Sequence, residues 1–192
     1  MSGDLLPLRL TICGIHELDG FARADVSDVL SIVNPGEPDP EAFMRFGPHR
    51  RTTLRFHDVV LPTEGHSMPA EDDMRGILNF GETLARHGDA GHLLVHCVAG
   101  VSRSTAAAAI LMAQKNPGRE AEAFLALLEL RPRAWPNSRM VELADALLQR
   151  RGRLRAGLDA YYRAAIKAFD GMEDYIRSIG GREHELPKND GG

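Results

Sequence analysis

Short apolar runs alternate along this chain with longer stretches whose apolar residues recur every three or four positions. Residues 8–13, 29–33, 52–56 and 93–96 are rich in Leu, Ile, Val and Thr and are predicted strands. Pro69 suits the first turn of a helix that carries Ile77, Leu78 and Phe80 to about residue 86, with Gly88 as its stop. Residues 102–116 hold Ala106, Ala107, Ala108 and Ala109, then Ile110, Leu111, Met112 and Ala113, before Asn116-Pro117-Gly118 ends the pattern. A helix apolar nearly all round belongs in the middle of a fold. Helices over 120–130 and 138–150 follow, separated by Arg131-Pro132-Arg133-Ala134-Trp135-Pro136-Asn137. A last helix is predicted over 153–179, where Leu154, Leu158, Tyr162, Ile166, Phe169 and Met172 fall close to helical spacing; the stripe reads as packing on the core, with a dimer or membrane face as the alternative. The alternation predicts an α/β fold, a central and mostly parallel sheet flanked by helices, with an added C-terminal helix.

A chain of 192 residues fits one domain of ordinary size. Its expected organisation is a domain over 1–150, the C-terminal helix over 151–179 packed on it, and a polar, glycine-rich tail over 180–192 expected to be disordered. The composition, 43% hydrophobic and 26% charged, is that of a soluble globular protein. The formal net charge of −4 provides no overall basic field, which argues against nucleic acid or a membrane surface as a partner. Any attraction for an anionic ligand must therefore be local. Two distant cysteines, Cys13 and Cys97, do not make a disulfide framework and suit a reducing compartment. The apolar stretch 5–10 is too short and interrupted for a signal peptide or a span, so the expected setting is the cytoplasm, as a monomer or weak dimer.

Candidate chemistry concentrates in His92-Leu93-Leu94-Val95-His96-Cys97-Val98-Ala99-Gly100-Val101-Ser102-Arg103-Ser104-Thr105. A buried strand delivers Cys97 to the carboxyl edge of a sheet, where α/β folds place ligands. Arg103 then starts the most apolar helix. Such a strand–loop–helix aims backbone N–H groups and the positive end of the helix dipole at one point, where a dianion binds and a thiolate is favoured over a thiol. Val98, Ala99, Gly100, Val101 and Ser102 supply the loop amides, and Gly100 permits the tight turn. Arg103 offers a planar fork of donors to two phosphate oxygens. Ser104 can donate to the cysteine sulfur as it leaves, and His96 can orient neighbouring groups and support the thiolate.

At these residues the chain resembles a known family. His96-Cys97-x-x-Gly100-x-x-Arg103-Ser104 resembles the signature loop of the cysteine-based protein-tyrosine phosphatases, and Gly100-Val101-Ser102-Arg103-Ser104 looks most like the dual-specificity branch, in particular its bacterial members. The Arg131-Pro132 … Pro136-Asn137 segment and the strand over 29–33 are similar to that branch too, so the likeness covers roughly residues 5–150. It implies a phosphatase-like fold and a cysteinyl-phosphate mechanism in which Cys97 attacks phosphorus while Arg103 and the loop amides hold the oxygens. It also implies a phosphorylated protein as substrate and no metal; the chain has no C-x2-C pair, no H-E-x-x-H and no Walker A loop, and no cofactor is expected.

The resemblance requires a carboxylic acid on a movable loop a few tens of residues before the cysteine. Asp58, at the end of a predicted strand and before a loop carrying Pro62 and Gly65, is the first choice. Glu64, Glu71, Asp72 and Asp73 are alternatives, the last three being also suited to the start of a helix. Asn137 reads as an N-cap, Arg131 and Arg133 as partners of acidic neighbours or contacts to substrate, and Arg50 and Arg51 beside His49 as a basic rim. Cys13 reads as core packing, and His57 with His66 lacks a third ligand. Two other functions stay open: a phosphoprotein-binding pseudophosphatase, which needs a failed general acid, and a phosphatase for a non-protein phosphate ester. Highly charged esters are disfavoured, because the variable loop positions carry no basic side chain.

Overall fold

A computed structural model describes residues 5–84, 91–178, 182 and 185–187. Four strands, β1 (Arg9–Gly14), β2 (Asp28–Val33), β3 (Arg50–Arg55) and β4 (His92–Cys97), form a sheet in the order β1-β4-β2-β3, with every pair parallel. The central strands β2 and β4 are buried along their whole length, which is why they read as near-continuous apolar runs. Because successive side chains alternate between faces, Ile12, Leu30, Ile32, Leu93 and Val95 join the main core, while Cys13, Val29 and Leu94 join a second, smaller cluster. Two 3-10 helices, Ile15–Phe21 and Glu41–Arg45, cover that smaller cluster through Leu18, Ala42 and Phe43.

Helices α1 (Glu71–Leu84), α2 (Arg103–Lys115), α3 (Glu120–Leu125), α4 (Leu127–Leu130), α5 (Ser138–Leu147), α6 (Arg153–Ala168) and α7 (Met172–Ser178) complete the architecture. Every residue of α2 from Arg103 to Ala113 is buried, so its short alanines let it sit between the sheet and the other helices. All four strands point the same way, so Gly14, Val33, Arg55 and Cys97 end at one edge of the sheet. The loops leaving that edge build the site.

The predicted elements form, with three differences. The helix expected over 120–130 is divided into α3 and α4 at Ala126. The single helix expected over 153–179 is two, α6 and α7. Gly171 takes the left-handed conformation, φ +75°, and the chain turns there while Met172 and Ile176 of α7 stay buried. Within the tail expected to be disordered, Arg182 and Glu185 lie in the interior, 7% and 4% exposed. A buried carboxylate is tolerated there because it pairs with Arg182 and meets donors left over from the fold, the Trp135 indole N–H (3.1 Å) and the Ser138 amide (3.2 Å). The predicted helix end near Arg86, its stop at Gly88 and the end of the last helix at Ile179 lie outside the described residues. Among the described residues no helix is long and apolar enough to cross a membrane.

Candidate active site

Cys97 closes β4 beside Gly14, the last residue of β1, and is buried. The loop from Val98 to Ser102 then carries the chain to the N-terminus of α2. Each carbonyl of that loop is tied to the surrounding scaffold. Val98 O accepts from the Ile15 amide (3.0 Å), and Ala99 O and Gly100 O from the Arg131 guanidinium (3.3 and 3.0 Å). Val101 O accepts from the Trp135 amide (2.8 Å), and Ser102 O from the Ala106 amide (2.9 Å). A trans peptide holds its C=O and the following N–H on opposite sides. With every carbonyl turned outward, the amides of Ala99, Gly100, Val101, Ser102 and Arg103 turn to the inside of the loop. The Gly100 N–H accordingly donates to Cys97 Sγ at 3.2 Å.

Gly100 cannot be replaced in this arrangement. It has φ +72°, and a Cβ there would lie 2.5 Å from the backbone of Cys13 and Gly14. Arg131 is the outer buttress, for its guanidinium also makes a two-pronged pair with Glu17 (2.8 and 2.7 Å), whose carboxylate accepts from the Gly14 amide (2.7 Å). Of the two readings of Arg131, the acidic partner is the one found.

Around the sulfur, the Ser104 hydroxyl lies 3.2 Å from Cys97 Sγ. Arg103 is only 3% exposed, and its Nη1 donates to Asn34 Oδ1 (2.8 Å) at the end of β2 and to Phe56 O (2.6 Å) beyond β3. Its Nε is buried with no partner among the described residues, a donor held dry and unspent. His96 faces Ser31 of the neighbouring strand, with Nε2 2.5 Å from the hydroxyl, and its Nδ1 is 3.4 Å from Cys97 O. Burial pushes its pKa down to about 4, so the ring is neutral at neutral pH and acts by hydrogen bonding rather than charge.

That shift carries a prediction. Unfolded, the ring takes up a proton near its ordinary value of 6.5; folded, it resists until about 4. The unfolded state therefore binds more protons across that window, and stability present above pH 6.5 is lost as pH falls toward 4. From this group alone the loss by pH 4.5 is on the order of 2–3 kcal/mol. Denaturant melts at several pH values should show a shallower acid decline in His96→Asn than in wild type. Equal slopes would contradict it.

Asp58 lies against the loop. Its Oδ1 accepts from the Ser102 hydroxyl (2.7 Å) and from Asn137 Nδ2 (2.8 Å), with Arg182 Nη1 at 3.5 Å. Ser102 thus spends its hydroxyl on Asp58. Asn137 is the N-cap of α5, accepting from the Met140 amide (3.1 Å), and holds Asp58 as well. Among the alternatives, Asp73 accepts from the Ala70 amide (2.9 Å) at the start of α1, and Glu71 pairs with Arg75.

The remaining candidates are engaged elsewhere. Arg50 pairs with Asp28 (2.5 Å), and Arg51 pairs with Asp39 (2.6 Å) while lying over the Phe43 ring. Cys13 is buried in β1, and its pKa is pushed up to about 12, chiefly by burial and then by Glu17. It is a packed thiol. The His57 and His66 rings meet edge to face, 4.7 Å apart, and among the described residues no group of three potential ligands is placed to hold a metal. Sequence reasoning missed Asn34, Ser31, Glu17, Arg182 and Glu185. Only Asn34 carried a local signal, as the residue ending a strand before Pro35-Gly36.

Neither a protein-family model nor a curated protein sequence matches the chain. Solved structures do. Human DUSP28 aligns with a TM-score of 0.53 at 21% identity, covering 73% of this chain and 94% of its own. The Yvh1 phosphatase domain from Chaetomium thermophilum gives 0.54 at 19% identity, with 77% and 94% covered. Tk-PTP in its active form gives 0.53 at 21%, with 74% and 92% covered. The fold is protein-tyrosine-phosphatase-like.

Proposed function

We propose that the protein is a cysteine-dependent phosphoric monoester hydrolase acting on phosphorylated proteins, phosphotyrosine first and phosphoserine or phosphothreonine as further substrates, in the manner of dual-specificity phosphatases. The observation that carries this reading is the loop whose carbonyls are tied to the scaffold and whose Gly100 amide donates to Cys97 Sγ, beside the buried, partly unpartnered guanidinium of Arg103. Such a cradle is complementary to a phosphoryl group with charge on its oxygens.

In this mechanism Cys97 Sγ, as thiolate, attacks phosphorus, and the bond to the leaving oxygen breaks. Val98, Ala99, Gly100, Val101, Ser102 and Arg103 hold the three remaining oxygens. Asp58 gives its proton to the departing phenolate or alkoxide. Asp58, now a carboxylate, takes a proton from water as that water attacks phosphorus. The S–P bond breaks, the thiolate leaves with a hydrogen bond from Ser104, and inorganic phosphate is released. His96, neutral, fixes the strand end through Ser31 and Cys97 O.

A panel of phosphotyrosine, phosphoserine and phosphothreonine peptides, run beside a phosphoinositide and a nucleoside triphosphate, tests the substrate class. Phosphotyrosine peptides should be hydrolysed fastest, and the two highly charged esters slowly or not at all, since Val98, Ala99, Val101 and Ser102 offer no basic side chain. A preference for the phosphoinositide or the triphosphate would overturn the protein-substrate reading.

A further inference from the structure

Arg182, beyond α7, reaches the site. Arg182 lies 79 positions beyond Arg103 in sequence, yet its Nη1 donates to the hydroxyl of Ser102 (3.1 Å) in the cysteine loop and stands 3.5 Å from Asp58 Oδ1. Its Nη2 donates to Pro136 O (3.3 Å), and its Nε pairs with Glu185. Glu185 is anchored in turn by the Trp135 indole N–H, the Ser138 amide and, at 3.4 Å, the Tyr162 hydroxyl. Trp135 stacks on Tyr162 with centroids 3.9 Å apart. The guanidinium is thus locked from behind, with its free face on Asp58 and Ser102.

The geometry around Asp58 gives this contact a consequence. Ser102, Asn137 and Arg182 all converge on Oδ1, while among the described residues none bonds Oδ2. An oxygen that already accepts two hydrogen bonds and faces a guanidinium is a poor place for a proton. Oδ2 is therefore the oxygen left to carry the proton that a general acid must deliver. We infer that Arg182 is a positioning residue that, with Ser102 and Asn137, fixes the rotamer of Asp58 so that its proton-bearing oxygen meets the leaving group. This inference rests on Asp58 being the general acid.

The test compares kcat and KM in the full chain for a phosphotyrosine peptide, a poor leaving group, and for an aryl phosphate with a strongly acidic phenol, which needs no acid. Arg182→Met should lower kcat for the peptide by about tenfold and for the acidic aryl phosphate by less than about twofold, the scale of a misplaced catalytic group. KM should change little for either. Arg182→Lys should recover most of the loss, and thermal melts should show each variant folded at the assay temperature. Removing one partner of a buried ion pair is destabilising. If Arg182→Met does not fold, Glu185→Gln, which releases the guanidinium from its anchor while keeping an amide for Trp135, should show the same split more weakly.

Asp58→Asn separates the two readings. If Asp58→Asn spares the peptide as much as the aryl phosphate, the acid assignment fails. If Asp58→Asn shows the split and a folded Arg182→Met does not, or loses both substrates equally, the inference about Arg182 is overturned. With both correct, Arg182→Met adds almost nothing in the Asp58→Asn background, because residues acting as one unit are non-additive.

Discussion

Cys97→Ser is expected to lose turnover of phosphotyrosine peptides by at least about four orders of magnitude, ~5.5 kcal/mol of barrier. A neutral hydroxyl in the same place lacks the nucleophilicity of a thiolate, and the inward amides cannot supply it. The cradle itself does not depend on the sulfur. Its carbonyls are tied to Ile15, Arg131, Trp135 and Ala106, none of which moves when sulfur becomes oxygen. Inorganic phosphate or vanadate should therefore still bind to Cys97→Ser with near wild-type affinity, measured by calorimetry. Turnover within about tenfold of wild type would remove the covalent step (~1.4 kcal/mol).

Arg103→Lys should lower kcat/KM by about two to three orders of magnitude, the range for removing a preorganised charge-stabilising donor. The guanidinium is planar, and one nitrogen is committed to Asn34 and Phe56 O, which sets the plane and leaves the buried Nε facing no acceptor. A lysine ammonium keeps the charge but cannot both reach those anchors and present a fork. Loss should appear in kcat as well as KM, since the developing charge on the phosphoryl oxygens is greatest in the transition state. Competitive inhibition by phosphate should weaken in parallel. Wild-type kinetics in this variant would mean that Arg103 is a packed helix-start residue and nothing more.

Much of the arrangement was legible in the sequence, for local reasons. A short run with apolar residues on both faces, as at 93–95, fits a central strand, and the alanine-rich stretch after Ser102 fits a helix without an exposed face. Cys97, Gly100 and Arg103 sit at the junction of the two, so their neighbourhood follows from chain order. The supports were not legible. Glu17 and Arg131 are 114 residues apart, and nothing in either local pattern announces the other. Ser31 is within reach of His96 only because β2 and β4 are neighbours in register. Arg182 and Glu185 lie in a stretch of glycines and charges, a composition that ordinarily cannot bury itself. Their burial depends on a vacancy beside Trp135 and Ser138 whose donors become visible only once α5 and α6 are packed. The division between α6 and α7 was hidden for a related reason, since the apolar stripe continues across Gly171 and periodicity alone does not register the turn.

The central claim, that Cys97 carries the phosphoryl group, is tested most directly by trapping it. The full-length protein is mixed with an aryl phosphate of acidic leaving group, quenched in acid during turnover, digested and analysed by mass spectrometry. A phosphoryl adduct should appear on the peptide containing Cys97, at its sulfur, and should be absent from Cys97→Ser. Steady turnover with the Cys97 peptide unmodified and the adduct on another residue would contradict it.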